Sequence, residues 1–209
     1  MYLSNSDSPC QEWIIADINH DNTEGTVDLF PKYILDKTAM SYCSTTITGT
    51  DVICYKRSNV RSYLVGKIYN GFNDEIKNAI IPQHFSIRYY SNIEYLDDNV
   101  RCPSYTDIGI IYNETRDGIT YTAYDEEGTI YPIFGGAAKK QNPLACYRDI
   151  NGTIQTYWVR SRCNRDYNGC IVRSSGTYEV NPIYTAGGTQ NCDYYNGHHV
   201  VGIIRFGKK

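Results

Sequence analysis

Short stretches in which apolar and polar residues alternate occur along the chain, and this pattern predicts β-strands. The clearest are residues 157–160, 171–173 and 200–206, which we interpret as core strands. Between them lie two long connections, residues 161–169 and 177–199, with few aliphatic side chains and many Tyr, Asn, Asp, Arg, Gly and His. Long connections in a compact domain are usually functional or disordered, and rigid aromatics beside adaptable amides are typical of binding loops. The pattern therefore predicts a scaffold that presents a recognition surface.

Three helices are predicted in the first half of the chain from residues that favour helix N-termini. Pro31 suits the first turn of one helix, because its fixed φ is already helical. Ser58 and Asn73 suit the N-caps of two more, the second of which ends before Pro82. The apolar residues of the three helices are Tyr33, Ile34 and Met40, then Val60, Tyr63 and Leu64, then Ile76, Ala79 and Ile80. We expect these helices to be packing elements.

Further strands are predicted by alternation outside the C-terminal quarter of the chain. Residues 85–89 show it, and residues 12–18, which contain an apolar run and end in a polar turn, are a further strand candidate. Between residues 110 and 140, two turns that contain glycine separate the alternating stretches 119–124 and 129–134, which is the signature of a β-hairpin or meander. We interpret residues 110–140 as a hairpin inserted into a single domain.

The composition suits one α+β domain that spans residues 1–209 and buries a sizeable core. Tyr is far more frequent than Phe, with 21 residues against 5, so most aromatic side chains tolerate water at one end. The net charge is −3 with both signs interspersed, and no Lys- or Arg-rich face is visible. This argues against a nucleic-acid partner, because such binding depends on clustered positive charge.

The amino-terminal residues contain neither a basic region nor an apolar run, and no later apolar stretch has the length of a transmembrane helix. We therefore expect synthesis in a bacterial cytoplasm without a signal peptide, and no insertion into a membrane.

A polar stretch near the amino terminus has two interpretations. Asp17, Asn19, Asp21 and Asp28 have the spacing of a calcium-binding loop. Asn22, however, replaces the usual glycine, and apolar runs adjoin both ends where helices would be expected. A hairpin turn rich in Asn and Asp explains the same residues. Both interpretations stay open at this point.

The cysteines show no C-x-x-C pair, which is the spacing that zinc sites usually have. We therefore expect mostly reduced, buried cysteines, and neither a metal nor another cofactor. Cys163 and Cys170 flank the first long connection, and a disulfide between them is the alternative.

Six short motifs follow one another along the chain. They are residues 13–21, residues 58–64, Phe72 with residues 76–82, Pro103-Ser104 with residues 107–109, residues 157–161, and Gly202 with Arg205. In this order and spacing they resemble a domain of unknown function common in gut bacteria and their phages, from residue 12 to residue 206. That domain is similar to the C-type-lectin-like fold shared with the formylglycine-generating enzyme. The resemblance implies mixed or antiparallel sheets, two or three helices and long irregular C-terminal loops.

The resemblance also implies that residues 157–206 form a ligand-binding region. Some members of this fold group, phage tropism determinants among them, are targets of diversity-generating retroelements, which mutate adenines near the 3′ end of the gene. Asparagine codons treated in this way yield the residue types that fill these loops. The candidate binding residues are Arg162, Asn164, Arg165, Asp166, Tyr167, Asn168, Tyr178, Tyr184, Asn191, Asp193, Tyr194, Tyr195, Asn196 and His198. Ordinary loop chemistry, which favours several of the same types, is the alternative.

Three classes of function compete. The first is a phage receptor-binding or adhesin protein of the tail-fibre or tail-tip type, whose last loops contact a host surface protein or glycan. The second is a structural decoration or tail component of the virion. The third is a cysteine-dependent oxidase like the formylglycine-generating enzyme, for which Cys163 with Cys170, or Cys192 near His198 and His199, are the candidate groups. No acid–base constellation accompanies these residues, so we do not expect an enzyme.

The resemblance further implies an assembly. Related phage proteins are trimeric, and several copies of a weakly binding loop on one particle gain avidity through their effective concentration. We therefore expect a homo-oligomer, with a trimer favoured, located on a virion beside other virion proteins. We also expect the strand of Trp13 to lie near the strand of Ile203, and Trp158 to be buried beneath the loops.

Overall fold

The structure, a computed structural model, describes residues 2–3, 11–36, 46–48, 55–89, 92–111, 113–116, 119–122, 128–161, 168–182, 189–191 and 197–208. Within these residues the fold is α+β, with small antiparallel sheets and few helices. The strands are β1 (Tyr2–Leu3), β2 (Gln11–Ile18), β3 (Val27–Pro31), β4 (Thr46–Thr48), β5 (Gln83–Tyr89), β6 (Asn92–Asp98), β7 (Val100–Arg101), β8 (Asn113–Arg116), β9 (Ile119–Thr122), β10 (Tyr147–Arg148), β11 (Ile154–Gln155), β12 (Tyr157–Val159), β13 (Asn168–Val172), β14 (Tyr178–Pro182), β15 (Thr189–Asn191) and β16 (Ile203–Phe206). The helical segments are α1 (Asn59–Ser62), a π-helical segment (Tyr63–Ile68), α2 (Tyr69–Gly71), α3 (Asp74–Ala79) and short turns at His20–Asn22, Tyr55–Arg57, Pro132–Phe134 and Pro143–Ala145.

The largest sheet has five strands in the order β1-β2-β3-β16-β7. Every pairing in it is antiparallel. Its middle strand is β3, which pairs with β2 on one side and with β16 on the other. The strands of Trp13 and Ile203 therefore lie in one sheet with a single strand between them, and the prediction that they lie near each other is confirmed.

A second sheet, β12-β13-β14, has three strands, and the other sheets are the pairs β4–β15, β5–β6, β8–β9 and β10–β11. Strands β14 and β15 fall within residues 177–199, which the sequence predicts as one irregular connection. That prediction is wrong for these two strands. Strand β14 pairs with β13, and β15 pairs with the distant β4, so backbone pairing creates strands that local composition does not indicate.

Two of the three predicted helix starts are confirmed. The Oγ atom of Ser58 accepts a hydrogen bond from the N–H of Arg61 at 3.0 Å, which caps α1. The Oδ1 atom of Asn73 accepts from the N–H of Ile76 at 2.9 Å, which caps α3. Each cap satisfies one of the N–H groups that a helix start leaves without an intrahelical partner. No helix in the described ranges is both long enough and apolar enough to cross a membrane.

The helix predicted at Pro31 is wrong, because Pro31 is the last residue of β3. It pairs with Trp13 of β2, and the N–H of Lys32 donates to the carbonyl of Glu12 at 2.8 Å. Strand β3 is paired on both sides and mostly buried, so its tertiary interactions outweigh the local preference of proline for a helix start. Met40, assigned to the same helix, lies outside the described residues.

The hairpin predicted between residues 110 and 140 is half confirmed. Strands β8 and β9 pair antiparallel around residues 117–118, as expected. Residues 129–134, predicted as a strand, instead contain the turn at Pro132–Phe134. Pro132 begins this turn, and Gly135 ends it with a φ of 93°, a left-handed conformation that glycine adopts without strain.

Strand β12 lies between two buried hydrophobic clusters. Trp158 packs in the first cluster with Leu64 and Ile204. Its neighbours Tyr157 and Val159 pack in the second. Because successive side chains of a strand point to opposite faces, β12 is buried on both of its faces. Trp158 is 3% exposed, so its predicted burial is confirmed.

Gly202 precedes β16 at a position where three apolar side chains crowd the backbone. A Cβ atom there would lie 2.8 Å from Leu64, 2.9 Å from Val100 and 3.1 Å from Leu35. Gly202→Ala is therefore expected to lower the free energy of unfolding by about 1–3 kcal/mol, as overpacking of a core does. Urea denaturation measures this change. Gly66→Ala is the matched control, since nothing lies within 4 Å of its added Cβ, and a loss of stability as large as that of Gly202→Ala would contradict the packing argument.

Candidate functional site

Strands β12 and β13 hold both ends of the first predicted binding segment, residues 162–167, which lies outside the described residues. Before it, Ser161 is buried, and its Oγ accepts a hydrogen bond from the N–H of Tyr105 at 2.7 Å. After it, β13 begins with Asn168 paired to Pro182 of β14. Both ends of the segment are thus anchored in hydrogen-bonded structure.

The second and third segments, residues 183–188 and 192–196, also lie outside the described residues. They flank β15, which is held by its pairing with β4, with Thr189 opposite Thr48. Beyond the third segment, the chain rejoins β12 through a parallel bridge between Tyr157 and His199.

The structure therefore describes few of the predicted binding residues. Those outside the described residues are Arg162, Asn164, Arg165, Asp166, Tyr167, Tyr184, Asp193, Tyr194, Tyr195 and Asn196. Asn168, Tyr178 and Asn191 lie in β13, β14 and β15. His198 is the predicted residue whose side-chain surroundings are described, and a ligand contact by any of the others stays a prediction.

His198 is packed against the strand that carries the loops. Its Nδ1 atom lies 2.8 Å from the Oγ1 atom of Thr156. Its ring meets the ring of Trp158 edge to face, with the centroids 4.7 Å apart. His198 is buried, so in this structure it supports the base of the third segment, and direct contact between His198 and a ligand stays a prediction.

The neighbouring His199 is held by a buried carboxylate. Asp36 accepts from the N–H of Val200 at 2.8 Å, and its other oxygen lies 3.2 Å from Nδ1 of His199. Burial raises the pKa of Asp36, and the hydrogen bond from Val200 and the charge of His199 offset this only in part. The residues that follow the third segment are therefore held by Asp36, which lies far away in the sequence.

A network of buried charges lies next to this region, and one half of it centres on Asp107. The Oδ2 atom of Asp107 lies 2.5 Å from Nη1 of Arg101 and 3.2 Å from Nη2 of Arg160. It also accepts from the N–H of Ser104 at 2.7 Å. Gly128 approaches so closely that a Cβ atom there would collide with Asp107, which explains why this position requires a residue without a side chain.

The other half of the network centres on Asp28 of β3. Arg205 of β16 donates to Asp28 through Nε at 2.5 Å and Nη2 at 2.6 Å, a two-bond geometry that arginine favours with carboxylates. The hydroxyl of Tyr131 donates to Asp28 at 2.6 Å and accepts from Nη2 of Arg101 at 2.9 Å, which joins the two halves. Gln83 accepts from Nε of Arg101 at 2.9 Å.

The charges in the network stabilise one another. Burial alone would raise the pKa of Asp107, but the adjacent Arg101 and Arg160 outweigh it and lower that pKa below its ordinary value. Burial alone would lower the pKa of Arg101 and of Arg205, and their carboxylate partners raise both instead. Asp107 therefore stays ionised and both arginines stay protonated at neutral pH.

A cavity of about 360 Å³ lies beside the network. Arg101, Arg160 and Arg205 line it, as do His84 and Tyr95 of the β5–β6 pair. The rings of His84 and Tyr95 stack with their centroids 5.0 Å apart and their planes 5° from parallel. None of these residues is singled out by the sequence as a binding residue.

The two interpretations of the polar stretch near the amino terminus are now resolved. Strands β2 and β3 flank the turn, so the hairpin interpretation is confirmed. Asp17 contacts Nδ1 of His20 at 2.8 Å, and Asn19 accepts from the N–H of Gly25 at 2.7 Å. Asp28 is buried on β3 and bonded to Arg205 and Tyr131. Its carboxylate therefore belongs to the network and not to a calcium loop.

The cysteines proposed for oxidase chemistry are only partly described. Cys170 is buried in β13, whereas Cys163 and Cys192 lie outside the described residues, so a disulfide or a metal role for these cysteines stays an alternative that is not tested. Cys102 is also buried, and burial raises the pKa of its thiol, which makes a thiolate unfavourable there. Within the described ranges, no three His, Cys, Asp or Glu side chains come together as metal ligands would.

The described residues thus define an α+β domain with a buried arginine–carboxylate network beside an open cavity. The chain belongs to the family described as a domain of unknown function, DUF6273, whose family model matches residues 25–205. Comparison with curated proteins and with solved structures finds no match. The motif residues that carry the resemblance noted above include Ser104, Asp107, Arg160 and Arg205, which meet in the network, so a structural role accounts for these four.

Proposed function

We propose that the chain is a phage receptor-binding or adhesin protein of the tail-fibre or tail-tip type. In this proposal, residues 162–167, 183–188 and 192–196 contact a host surface protein or glycan. The observation that carries it is that the described residues next to these segments are hydrogen bonded and packed, while two of the segments, residues 162–167 and 192–196, are rich in Tyr, Asn, Asp and Arg. A rigid base reduces the ordering cost of binding, because the ends of each segment are already held in place.

The proposal includes a C-type-lectin-like fold. The order of the motifs supports it, as does the α+β architecture in which the first and last described strands share one sheet. Members of that fold group place ligand contacts on irregular segments near the carboxyl terminus, and retroelement-driven diversification of these segments belongs to the same proposal. A reverse-transcriptase gene beside a variable template repeat in the genome would support diversification, and its absence would favour fixed recognition.

Assembly on a virion is the third part of the proposal. A single Tyr-rich loop gives weak attachment, and several copies on one particle raise the effective concentration of binding sites. A homo-oligomer, most simply a trimer, would supply those copies beside other virion proteins. Light scattering at micromolar concentration and mass spectrometry of purified particles test this, and a monomer that is missing from the particles would contradict it.

The decisive experiment replaces Tyr194 and Tyr195 together by alanine. Binding hot spots are enriched in Tyr, and truncating one such anchor typically costs about 2 kcal/mol, or roughly a 30-fold loss of affinity. If the side chains of Tyr194 and Tyr195 are exposed, as the proposal requires, their replacement should change stability by no more than roughly 0.5 kcal/mol. We therefore expect adsorption to host cells to fall while the melting temperature is unchanged. The measurement combines both readouts on the same protein preparation.

Ile150→Ala serves as the matched control, since Ile150 is 81% exposed and lies in the turn between β10 and β11. It should change neither adsorption nor melting. A large drop in the melting temperature of the double variant would show that the two tyrosines pack the loop onto the core. Unchanged adsorption in a protein that is still present in the virion would favour a structural decoration or tail component.

A further inference from the structure

We infer that the cavity beside the network is a binding site for an acidic monosaccharide, a sugar ring that carries one carboxylate. The inference goes beyond the proposed function, because the residues that line the cavity lie outside the three C-terminal segments. The cavity volume of about 360 Å³ lies near the lower end of the range for small-molecule sites, about 300–1,000 Å³. One sugar therefore suits it better than a longer oligosaccharide.

Arg205 supplies the first argument, because part of its guanidinium is available to a ligand. Asp28 binds its Nε and Nη2 atoms, whereas its Nη1 atom donates to no described residue. The side chain is only 8% exposed, and it lines the cavity. An incoming carboxylate would accept charge-assisted hydrogen bonds from Nη1, which are stronger than those between neutral groups.

The charge of the network supplies the second argument. It holds three guanidinium groups, those of Arg101, Arg160 and Arg205, against the carboxylates of Asp28 and Asp107. All three guanidinium groups line the cavity, whereas the one carboxylate among the described lining residues is that of Asp21. A ligand with a carboxylate forms an ion pair with an arginine there, whereas a neutral sugar forms none.

Asp21 and Thr129 show that a bare anion is not the best ligand. Both line the cavity, and the hydroxyl of Thr129 donates to the carboxylate of Asp21. The carboxylate repels a small inorganic anion, but it accepts hydrogen bonds from hydroxyl groups. The lining therefore favours a molecule that carries hydroxyl donors as well as a carboxylate, which is the chemistry of an acidic sugar.

Tyr95 supplies a surface for the sugar ring. It is 62% exposed, and one face of its ring stacks on the ring of His84. The C–H groups on one face of a pyranose carry slight positive charge and pack on the negative face of an aromatic ring.

The test titrates the intact chain with sodium D-glucuronate and, in a second arm, with N-acetylneuraminate, by calorimetry or by NMR. We expect saturable binding of at least one of them, about tenfold or more tighter than the binding of glucose, which lacks the carboxylate, or of acetate, which lacks the ring. The acidic sugar that binds with the higher affinity, glucuronate or N-acetylneuraminate, shows which type of acidic sugar the cavity prefers. Equal binding of acetate or glucose, or no binding of either acidic sugar, would overturn the inference.

Two variants connect binding to the cavity. Tyr95→Ala should weaken binding about tenfold with an unchanged melting temperature, because Tyr95 is exposed, and Ile150→Ala should change neither. Arg205→Gln should reduce binding to the level seen for glucose. Arg205→Gln also disturbs Asp28, so if this variant fails to fold, the result with Tyr95→Ala decides. Unchanged affinity of the Tyr95→Ala variant would overturn the inference. The double variant Tyr194→Ala, Tyr195→Ala should bind glucuronate normally, and this result would separate the cavity from the proposed loop site.

Discussion

Replacing Asp107 by alanine is expected to lower the free energy of unfolding by about 3–5 kcal/mol, the range for breaking a buried ion pair by removing one partner. Asp107 is fully buried and accepts hydrogen bonds from Arg101, Arg160 and the N–H of Ser104. Its removal leaves both guanidinium groups buried beside a space that no longer holds a negative charge. Urea denaturation followed by tryptophan fluorescence measures the loss.

Two controls isolate the effect of the charge. Asp107→Asn keeps the shape and one acceptor oxygen but removes the charge, so we expect a smaller loss of stability than with alanine, and this variant serves if Asp107→Ala does not fold. Lys56→Ala breaks the ion pair with Glu94 at 2.9 Å, whose side chains are much more exposed. Surface pairs contribute little to stability. A similar effect of Asp107→Ala and Lys56→Ala would contradict the buried-network argument.

Stability should also depend on pH through Asp107. Its pKa in the folded protein is lower than its ordinary value, because Arg101 and Arg160 outweigh the effect of burial. A lowered folded pKa adds stability that is present above the unfolded pKa of about 3.9 and is lost as pH falls through the folded pKa. We therefore expect the stability of Asp107→Asn to fall less steeply below about pH 4 than that of the unmodified protein. Parallel curves for the two proteins would contradict this.

Replacing Trp158 by alanine is the second change for which we expect a large effect, a loss of about 3–5 kcal/mol, as found for large aromatic residues in cores. Trp158 fills the first hydrophobic cluster and contacts the ring of His198, so its removal leaves a cavity and loosens the return of the chain after residues 192–196. Denaturation and melting both measure the loss of stability. Adsorption to host cells should fall as well, even at temperatures where the variant is folded.

Trp158→Phe provides the comparison for this prediction. It keeps an aromatic ring in the cluster and should lose less stability than Trp158→Ala. If Trp158→Ala loses less than about 1 kcal/mol, the residue does not support the packing described here. If it loses stability but adsorbs normally when folded, the base of the third segment does not position the binding residues.

The sequence determines those elements that depend on local chemistry. Ser58 and Asn73 cap helices because their side-chain oxygens reach an N–H three residues further along the chain, which requires no distant partner. The apolar run within residues 12–18 and the alternation at residues 85–89 predict β2 and β5 correctly. The burial of Trp158 follows from its place in an apolar strand.

The incorrect secondary-structure predictions concern residues whose conformation depends on pairing with a strand that is distant in the sequence. Pro31 has the local features of a helix start, yet pairing on both sides of β3 makes it a strand residue. Residues 178–182 and 189–191 have loop-like composition, and their pairing with β13 and β4 makes them strands. Local preferences are worth a fraction of a kcal/mol per residue, so burial and sheet pairing outweigh them.

The candidate cavity could not be predicted, although one signal was present. Arg160 and Arg205 each follow or interrupt an apolar run, and a charge in a buried strand requires a partner. The sequence thus determines that buried partners exist for these arginines. Only the tertiary structure decides which they are, because Asp28 lies 177 residues from Arg205, and Asp107 lies 53 residues from Arg160. Side chains so far apart meet only when the sheets pack, and their geometry then follows from the whole fold.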